Sequence, residues 1–293
     1  MLDPPVTTFG GRDLLPAAFF LMQKHFGERH LQRLRPGSPA RKQGIGMKVT
    51  IVGSGDAWGS GGRFHTCFRV DLAGRCILAD FGASAPVGWK RLDLDLAEVD
   101  AIVLSHLHGD HFGGVPFLLL ESQFELKRTR PLEIIGPPGT KARLDALIEA
   151  FFPRIVGRNW RFDWSVRELE PGTPADLLGL HLNTVQVVHS QGAIDTGLRL
   201  TDGQRTFAYS GDTQWTEALT GLADGADLFI CECYGWEPGI PGHIAWSELA
   251  ANLPRLKAGK IALTHMGRTV LPHVDEIESH GPAACFDGHV FDF

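Results

Sequence analysis

Residues 105–111 read Ser105-His106-Leu107-His108-Gly109-Asp110-His111, directly after Val99-Asp100-Ala101-Ile102-Val103-Leu104. The apolar run reads as a buried strand. Three histidines and an aspartate then fall within six residues at its end. With only 13 histidines in 293 residues, that density is not expected of an ordinary polar loop. His106 and His108 are two apart, so on extended backbone their rings leave on the same side. Gly109 predicts a tight turn, after which Asp110 and His111 can serve a second, adjacent position. Imidazole nitrogens and a carboxylate suit zinc, manganese or iron. A centre of two metals needs further ligands from elsewhere.

The same grammar, an apolar strand followed by a metal-competent side chain, recurs three times. Leu180 to Val188 reads as a strand and delivers His189. Leu198 to Thr201 and Arg205 to Tyr209 pair around the hairpin signal Asp202-Gly203 and deliver Ser210-Gly211-Asp212. Lys260 to Thr264 hands over to His265. Ala226 to Cys233 is another buried strand and carries Glu232.

Elsewhere, the strand Met47 to Val52 runs into a glycine-rich loop, Gly53 to Gly62. A strand followed by glycines suggests a dinucleotide site, but the spacing is wrong and no helix intervenes before Phe68-Arg69-Val70. The loop reads instead as the rim of a pocket, with Arg63 and His65 as candidate substrate contacts. Phe68 to Leu72 and Arg75 to Asp80 predict a hairpin around Ala73-Gly74, ending in Asp80-Phe81-Gly82. A helix is expected over Phe117 to Phe124 and a strand over Pro131 to Ile135. After Gly136-Pro137-Pro138-Gly139 comes a second helix to about Phe152, with Thr140 as N-cap. Leu144, Leu147, Ile148 and Phe151 would form its core face. Arg161 to Leu169 predicts a strand and Ala245 to Ala251 a helix; nothing clear follows Val270. No internal repeat is legible.

The 43% hydrophobic content of 293 residues suffices for one substantial core or two fused half-cores. Net charge is −6 without a long basic block, so no extended nucleic-acid surface is expected, though a local basic pocket stays open. The 35 glycines favour strand and loop junctions over a helical bundle. Five cysteines, odd in number, do not form a disulfide pattern. Cys231 and Cys233 could in principle bind a soft metal but read better as small core residues, and a reducing cytoplasm is expected. Leu14 to Met22 is too short to span a bilayer, no signal peptide is legible, and no membrane association is expected. Residues 1–46 read as an extension, with a helix over Ala17 to Leu34 and a linker over Arg35 to Gly46. It could pack on the body or mediate a homodimer, or natural translation could begin at Met47. Residues 47–293 are expected to form a single domain.

His106-Leu107-His108-Gly109-Asp110-His111 resembles the signature of the metallo-beta-lactamase superfamily, over about residues 47 to 268. The resemblance implies an α/β fold, a four-layered αββα sandwich with one or two metal ions at the upper edge of its sheets. It implies that His106, His108 and His189 hold one metal, that Asp110, His111 and His265 hold a second, and that Asp212 bridges both. The cofactors would be two divalent ions, zinc first, with manganese or iron as alternatives. A metal-bridging hydroxide would be the nucleophile, with Asp110 among the catalytic groups. Asp80 and Glu232 would support the ligands from behind.

The glycine-rich loop and the Gly136-Pro137-Pro138-Gly139 turn look like the ribonuclease Z and phosphodiesterase branch. An aspartate at position 212, where beta-lactamases of the superfamily commonly use cysteine, argues against antibiotic hydrolysis. Ribonuclease Z usually has His-Glu-Ala-Thr where this chain has Cys231-Glu232-Cys233-Tyr234, so only Glu232 matches. His243, in Gly242-His243-Ile244-Ala245, partly matches a downstream pattern and is the candidate to assist the leaving group. The tRNA-grasping arm would emerge between the equivalents of His189 and Asp212, where only 22 residues intervene. A small phosphodiester, such as a cyclic nucleotide or an alkyl phosphate diester, is therefore the expected substrate. Sulfate esters, lactones and thioesters are alternatives, as are tRNA 3′ processing and a non-catalytic binding role. An iron-containing redox member is disfavoured because no flavodoxin-like domain follows.

Overall fold

In the computed structural model, residues 46–155 and 157–293 are described. The helix expected over 17–34 and almost all of the linker lie outside them. Six strands come first: β1 (Met47–Gly53), β2 (Cys67–Leu72), β3 (Arg75–Ala79), β4 (Ala101–Val103), β5 (Leu132–Gly136) and β6 (Trp164–Glu168). A second series follows: β7 (Ala175–Leu177), β8 (Leu180–Val187), β9 (Asp195–Thr201), β10 (Thr206–Tyr209), β11 (Leu228–Glu232), β12 (Lys260–Thr264) and β13 (Ala283–Ala284). The last strand, β14 (Val290–Asp292), returns to the first series. One sheet has the order β14-β1-β2-β3-β4-β5-β6 and the other β13-β12-β11-β10-β9-β8-β7.

The two sheets share one plan. In the first, β14 to β3 pair antiparallel and β3 to β6 parallel. In the second, β7 to β10 pair antiparallel and β10 to β13 parallel. The repeat that composition does not reveal is thus present as topology.

Alternation along the strands sorts side chains into layers. Ile77, Ala79, Ala101 and Val103 meet Leu182, Leu198, Tyr209 and Ile230 between the sheets. Cys76, Leu78 and Ile102 point the other way, onto helices α1 (Ala85–Arg91), α2 (Gly109–Phe112), α3 (Val115–Phe124) and α4 (Thr140–Phe151). Phe229, Cys231 and Leu263 likewise face α5 (Ala218–Ala223), α6 (Trp246–Asn252) and α7 (Val274–Ser279). The result is helices, sheet, sheet, helices: the αββα sandwich expected. Central strands are buried on both faces, which is why they read as continuous apolar runs.

The tight turn expected at Gly109 is present: Gly109 opens the one-turn helix α2, and the His111 N–H donates to the His108 carbonyl at 3.0 Å. Two local readings are corrected. Thr140 is not the N-cap of α4. Gly139 takes that position at φ 92°, and Glu168 from β6 accepts the Gly139 and Lys141 N–H groups at 3.1 and 2.8 Å. A distant carboxylate therefore caps the helix while Thr140 Oγ1 donates back to the Pro137 carbonyl at 2.6 Å. The tail after Val270 is structured: α7, β13 and β14 form from it, and β14 pairs with β1.

Candidate metal centre

Asp80, His106, Asp212, Glu232 and His265 all sit at or just beyond the C-terminal ends of parallel strands β3, β4, β10, β11 and β12. His189 follows β8, which runs in the same direction as β10 through two antiparallel steps. Two cross-links draw the sheet ends together. Thr196 on β9 donates its N–H and its hydroxyl to the Ser105 carbonyl, at 2.9 and 2.7 Å. His265 N–H donates to the Ser54 carbonyl at 3.1 Å. The chain is also drawn tight at Gly82, where a Cβ would stand 2.0 Å from the Asp110 carbonyl oxygen.

Two groups of donor atoms result. His106, His108 and His189 form one, and Asp110, His111, Asp212 and His265 the other, with the atoms of each group within 4.8 Å of one another. Asp212 Oδ2 lies 3.2 Å from His111 Nε2 and from His265 Nε2, and 4.0 Å from His106 Nε2 and His189 Nε2. It therefore stands between the groups. Its other oxygen, Oδ1, is buried without a hydrogen-bond partner among the described residues, as are His106 Nε2 and His111 Nε2. Buried polar atoms are normally paired, so this concentration of orphans fits cations as the missing partners.

The rings are held from behind. His111 Nδ1 meets Asp80 Oδ2 at 2.7 Å, and Ser105 Oγ donates to the same oxygen at 2.7 Å. Ser105 Oγ is in turn 3.0 Å from His106 Nδ1. His189 Nδ1 meets the Gly242 carbonyl at 2.9 Å. Each contact occupies one ring nitrogen and leaves the other for the centre, the arrangement that orients metal-binding imidazoles. Asp80 and His265 hold φ of 59° and 54°, a left-handed conformation that non-glycine residues adopt at some cost.

Charge is distributed accordingly. Burial would raise the Asp212 carboxyl, but His111 and His265 hold it well below the usual carboxylate range. Asp110 behaves likewise: burial opposes ionisation, and His111 and His265 overcome it. Burial also opposes charging of His111, yet Asp212, Asp110 and Asp80 push its pKa well up. His106 is pushed well down, by burial first and then by His111.

His243 stands beside the centre. Its Nδ1 lies 2.9 Å from Glu232 Oε1, and it groups with His189 and Asp212 on one side and with Glu232 and His265 on the other. Glu232 is fully buried and accepts the Thr213 N–H at 2.6 Å. Burial, and then the charge of Asp212, push its pKa well up.

The two candidate substrate contacts are both held in place by hydrogen bonds. Arg63 is buried, and its guanidinium donates to the carbonyls of Ser60 at 2.9 Å, Ser54 at 3.3 Å and Met266. Each of the three nitrogens makes one such bond, so Arg63 ties the glycine-rich loop to the segment that follows His265. His65 Nδ1 accepts the Ser84 N–H at 3.2 Å, which fixes the ring beside the Gly82 turn. It joins neither donor group. Ser105 and Tyr234 carried no assignment in the sequence. Tyr234 packs its ring 4.8 Å from His243 and 5.9 Å from His265. No sequence signal marks either residue, because Ser105 is fixed by the distant Asp80 and Tyr234 packs on His243 and the distant His265.

Known proteins share this arrangement of chain. Residues 77–266 match the family described as beta-lactamase superfamily domain. The ribonuclease Z of Halorubrum lacusprofundi is 32% identical over 298 residues, covering 83% of this chain and 94% of that protein. The anti-Pycsar protein Apyc1 of Paenibacillus harenae is 27% identical over 236 residues, covering 76% of this chain and 91% of that protein. Among solved structures, a diphosphatase from the PhnP family superimposes with a TM-score of 0.69 at 20% identity, covering 84% of this chain and 98% of that one. That last likeness is one of fold.

Proposed function

The chain belongs to the beta-lactamase superfamily domain family, a hydrolase of the kind that includes its ribonuclease Z relatives, and from there we propose that it is a metal-dependent phosphodiesterase of small diesters. The observation that carries this is Asp212, one carboxylate oxygen set between two groups of imidazoles, with the His243–Glu232 pair beside it.

In this reading His106, His108 and His189 hold one divalent ion and Asp110, His111 and His265 a second, with Asp212 between them. Such ions, zinc first and manganese or iron as alternatives, supply Lewis acidity and lower the pKa of a bound water. Asp212 contributes the negative charge that offsets repulsion between two cations. Asp80 and Ser105 fix the ring planes of His111 and His106. Asp110, kept ionised, orients the attacking water and accepts from it. His243, anchored by Glu232 at Nδ1, delivers a proton from Nε2 to the departing alkoxide. That assistance matters for a poor leaving group, which ordinary phosphodiesters have and activated esters do not.

The 32% identity to a ribonuclease Z favours tRNA 3′ processing as a second reading. Against it, the span between His189 and Asp212 is taken up by β9, β10 and their connections, which supports a small substrate. The partner is then a small anionic diester. The five cysteines are free and buried, which supports a reducing compartment, and no helix among the described residues is long and apolar enough to cross a membrane.

The test is a screen of metal-reconstituted protein against phosphodiester, sulfate ester, thioester, lactone and beta-lactam substrates. Hydrolysis of bis(p-nitrophenyl) phosphate, stimulated by manganese or zinc, is expected. A clear preference for a lactone or thioester, with phosphodiesters at background, ends the phosphodiesterase reading.

A further inference from the structure

Trp58, at the tip of the glycine-rich loop, is 80% exposed. Leaving so large an apolar ring in water forgoes a substantial burial gain. It is not isolated, however. It lines a cavity of 370 Å³ together with Ser60, Tyr234 and Arg268. Tyr234 and Arg268 also line a second cavity of 620 Å³, whose wall includes Trp236 and His273. The two cavities therefore adjoin. The Trp236 and His273 rings stack at 3.9 Å with an interplanar angle of 17°, so this wall is itself built from parallel flat faces. Tyr234 connects it to the metal centre, since its ring packs against His243 and His265.

Arg268 sits where the cavities meet. Arg63 is tied to backbone carbonyls, whereas Arg268 forms no ion pair with a described residue and its side chain is exposed. Its guanidinium is thus free to take an anionic oxygen or to lie on an aromatic face. Volumes of this size are those of small-ligand sites. Aromatic plates and an unpaired guanidinium, next to a centre that would cleave a phosphate ester, match a planar ring joined to a phosphate.

We propose that Trp58, Tyr234, Trp236 and Arg268 form a recognition subsite for a nucleobase-sized planar ring, so that the substrate is a nucleoside phosphodiester and not an alkyl one. This rests on the phosphodiesterase reading and narrows it. Stacking on such faces tolerates any base, so the subsite selects for a flat ring and not for one base.

The test compares thymidine 5′-(p-nitrophenyl phosphate) with methyl p-nitrophenyl phosphate, which share leaving group and reacting phosphorus. The nucleoside ester is expected to show the lower KM. Trp58→Ala and Arg268→Ala should each raise that KM about tenfold more than they raise the KM of the methyl ester, the scale of one lost base–aromatic stack. Trp58→Phe, which keeps a flat face, should restore most of it. Calorimetric binding of thymidine 5′-monophosphate to the metal-free protein should weaken in the same two alanine variants. Equal KM values for the two esters, unmoved by the variants, would overturn the subsite while leaving the phosphodiesterase standing. If metal-loaded protein hydrolyses neither ester, the phosphodiesterase reading falls and calorimetry decides the subsite. Weakened binding in the variants then upholds a nucleotide pocket, and no binding to the parent protein removes it.

Discussion

Asp80 Oδ2 lies 2.7 Å from His111 Nδ1, and the same oxygen accepts the Ser105 hydroxyl that contacts His106. One carboxylate thereby sets the ring plane of a histidine in each donor group. Both contacts are fully buried, so water cannot replace them if the carboxylate is lost.

Asp80→Asn is therefore expected to weaken metal binding about 10- to 100-fold, the usual cost of removing such a supporting group. Competition against a chromophoric chelator measures this, and circular dichroism on the same sample reports the fold. Unchanged affinity would show that Ser105 and the ring packing alone orient the histidines.

Asp212→Ala should lose one of two metals and most of the turnover, because no other carboxylate among the described residues stands between the donor groups. Metal content and hydrolysis rate can be read on one preparation. Full activity with two metals retained would refute the bridging assignment.

His243→Ala should slow diesters with poor leaving groups roughly 10²- to 10⁴-fold, the range for a lost general acid. Hydrolysis of bis(p-nitrophenyl) phosphate, whose leaving group needs no proton, should fall far less. A plot of rate against leaving-group pKa should steepen in the variant. Equal losses across the series would assign His243 to structure.

In the metal-free protein, His111 is expected to titrate above free histidine and His106 below it. Burial opposes the charge on both, and only His111 has three carboxylates to outweigh that. The signs follow. His111, raised in the fold, contributes stability that is complete below the unfolded pKa of about 6.5 and is lost as pH rises through its folded value. His106, lowered, contributes stability that is present above about 6.5 and is lost as pH falls through its folded value. Imidazole NMR titration separates the two, and a His106 midpoint above that of His111 would contradict the charge distribution.

The sequence by itself determined the strands that end at His106, His189, Asp212 and His265. Strands buried on both faces must be apolar throughout, and a strand's end is where the chain can turn and present a polar side chain. It also marked the hairpins at Ala73-Gly74 and Asp202-Gly203, where the left-handed turn restricts the residues that fit. Only the tertiary structure decided what those side chains face. The gathering of the donor groups depends on Thr196 meeting Ser105 and on His265 meeting Ser54, contacts 91 and 211 positions apart that leave no local pattern. The same holds for Arg63, which reads as a free cation in sequence and becomes a buried strut because three carbonyls happen to converge on it. Trp58 and Arg268 meet across one cavity for the same reason. Periodicity records which face of an element is buried, whereas a hydrogen bond or a cavity wall depends on where a second, distant element comes to rest.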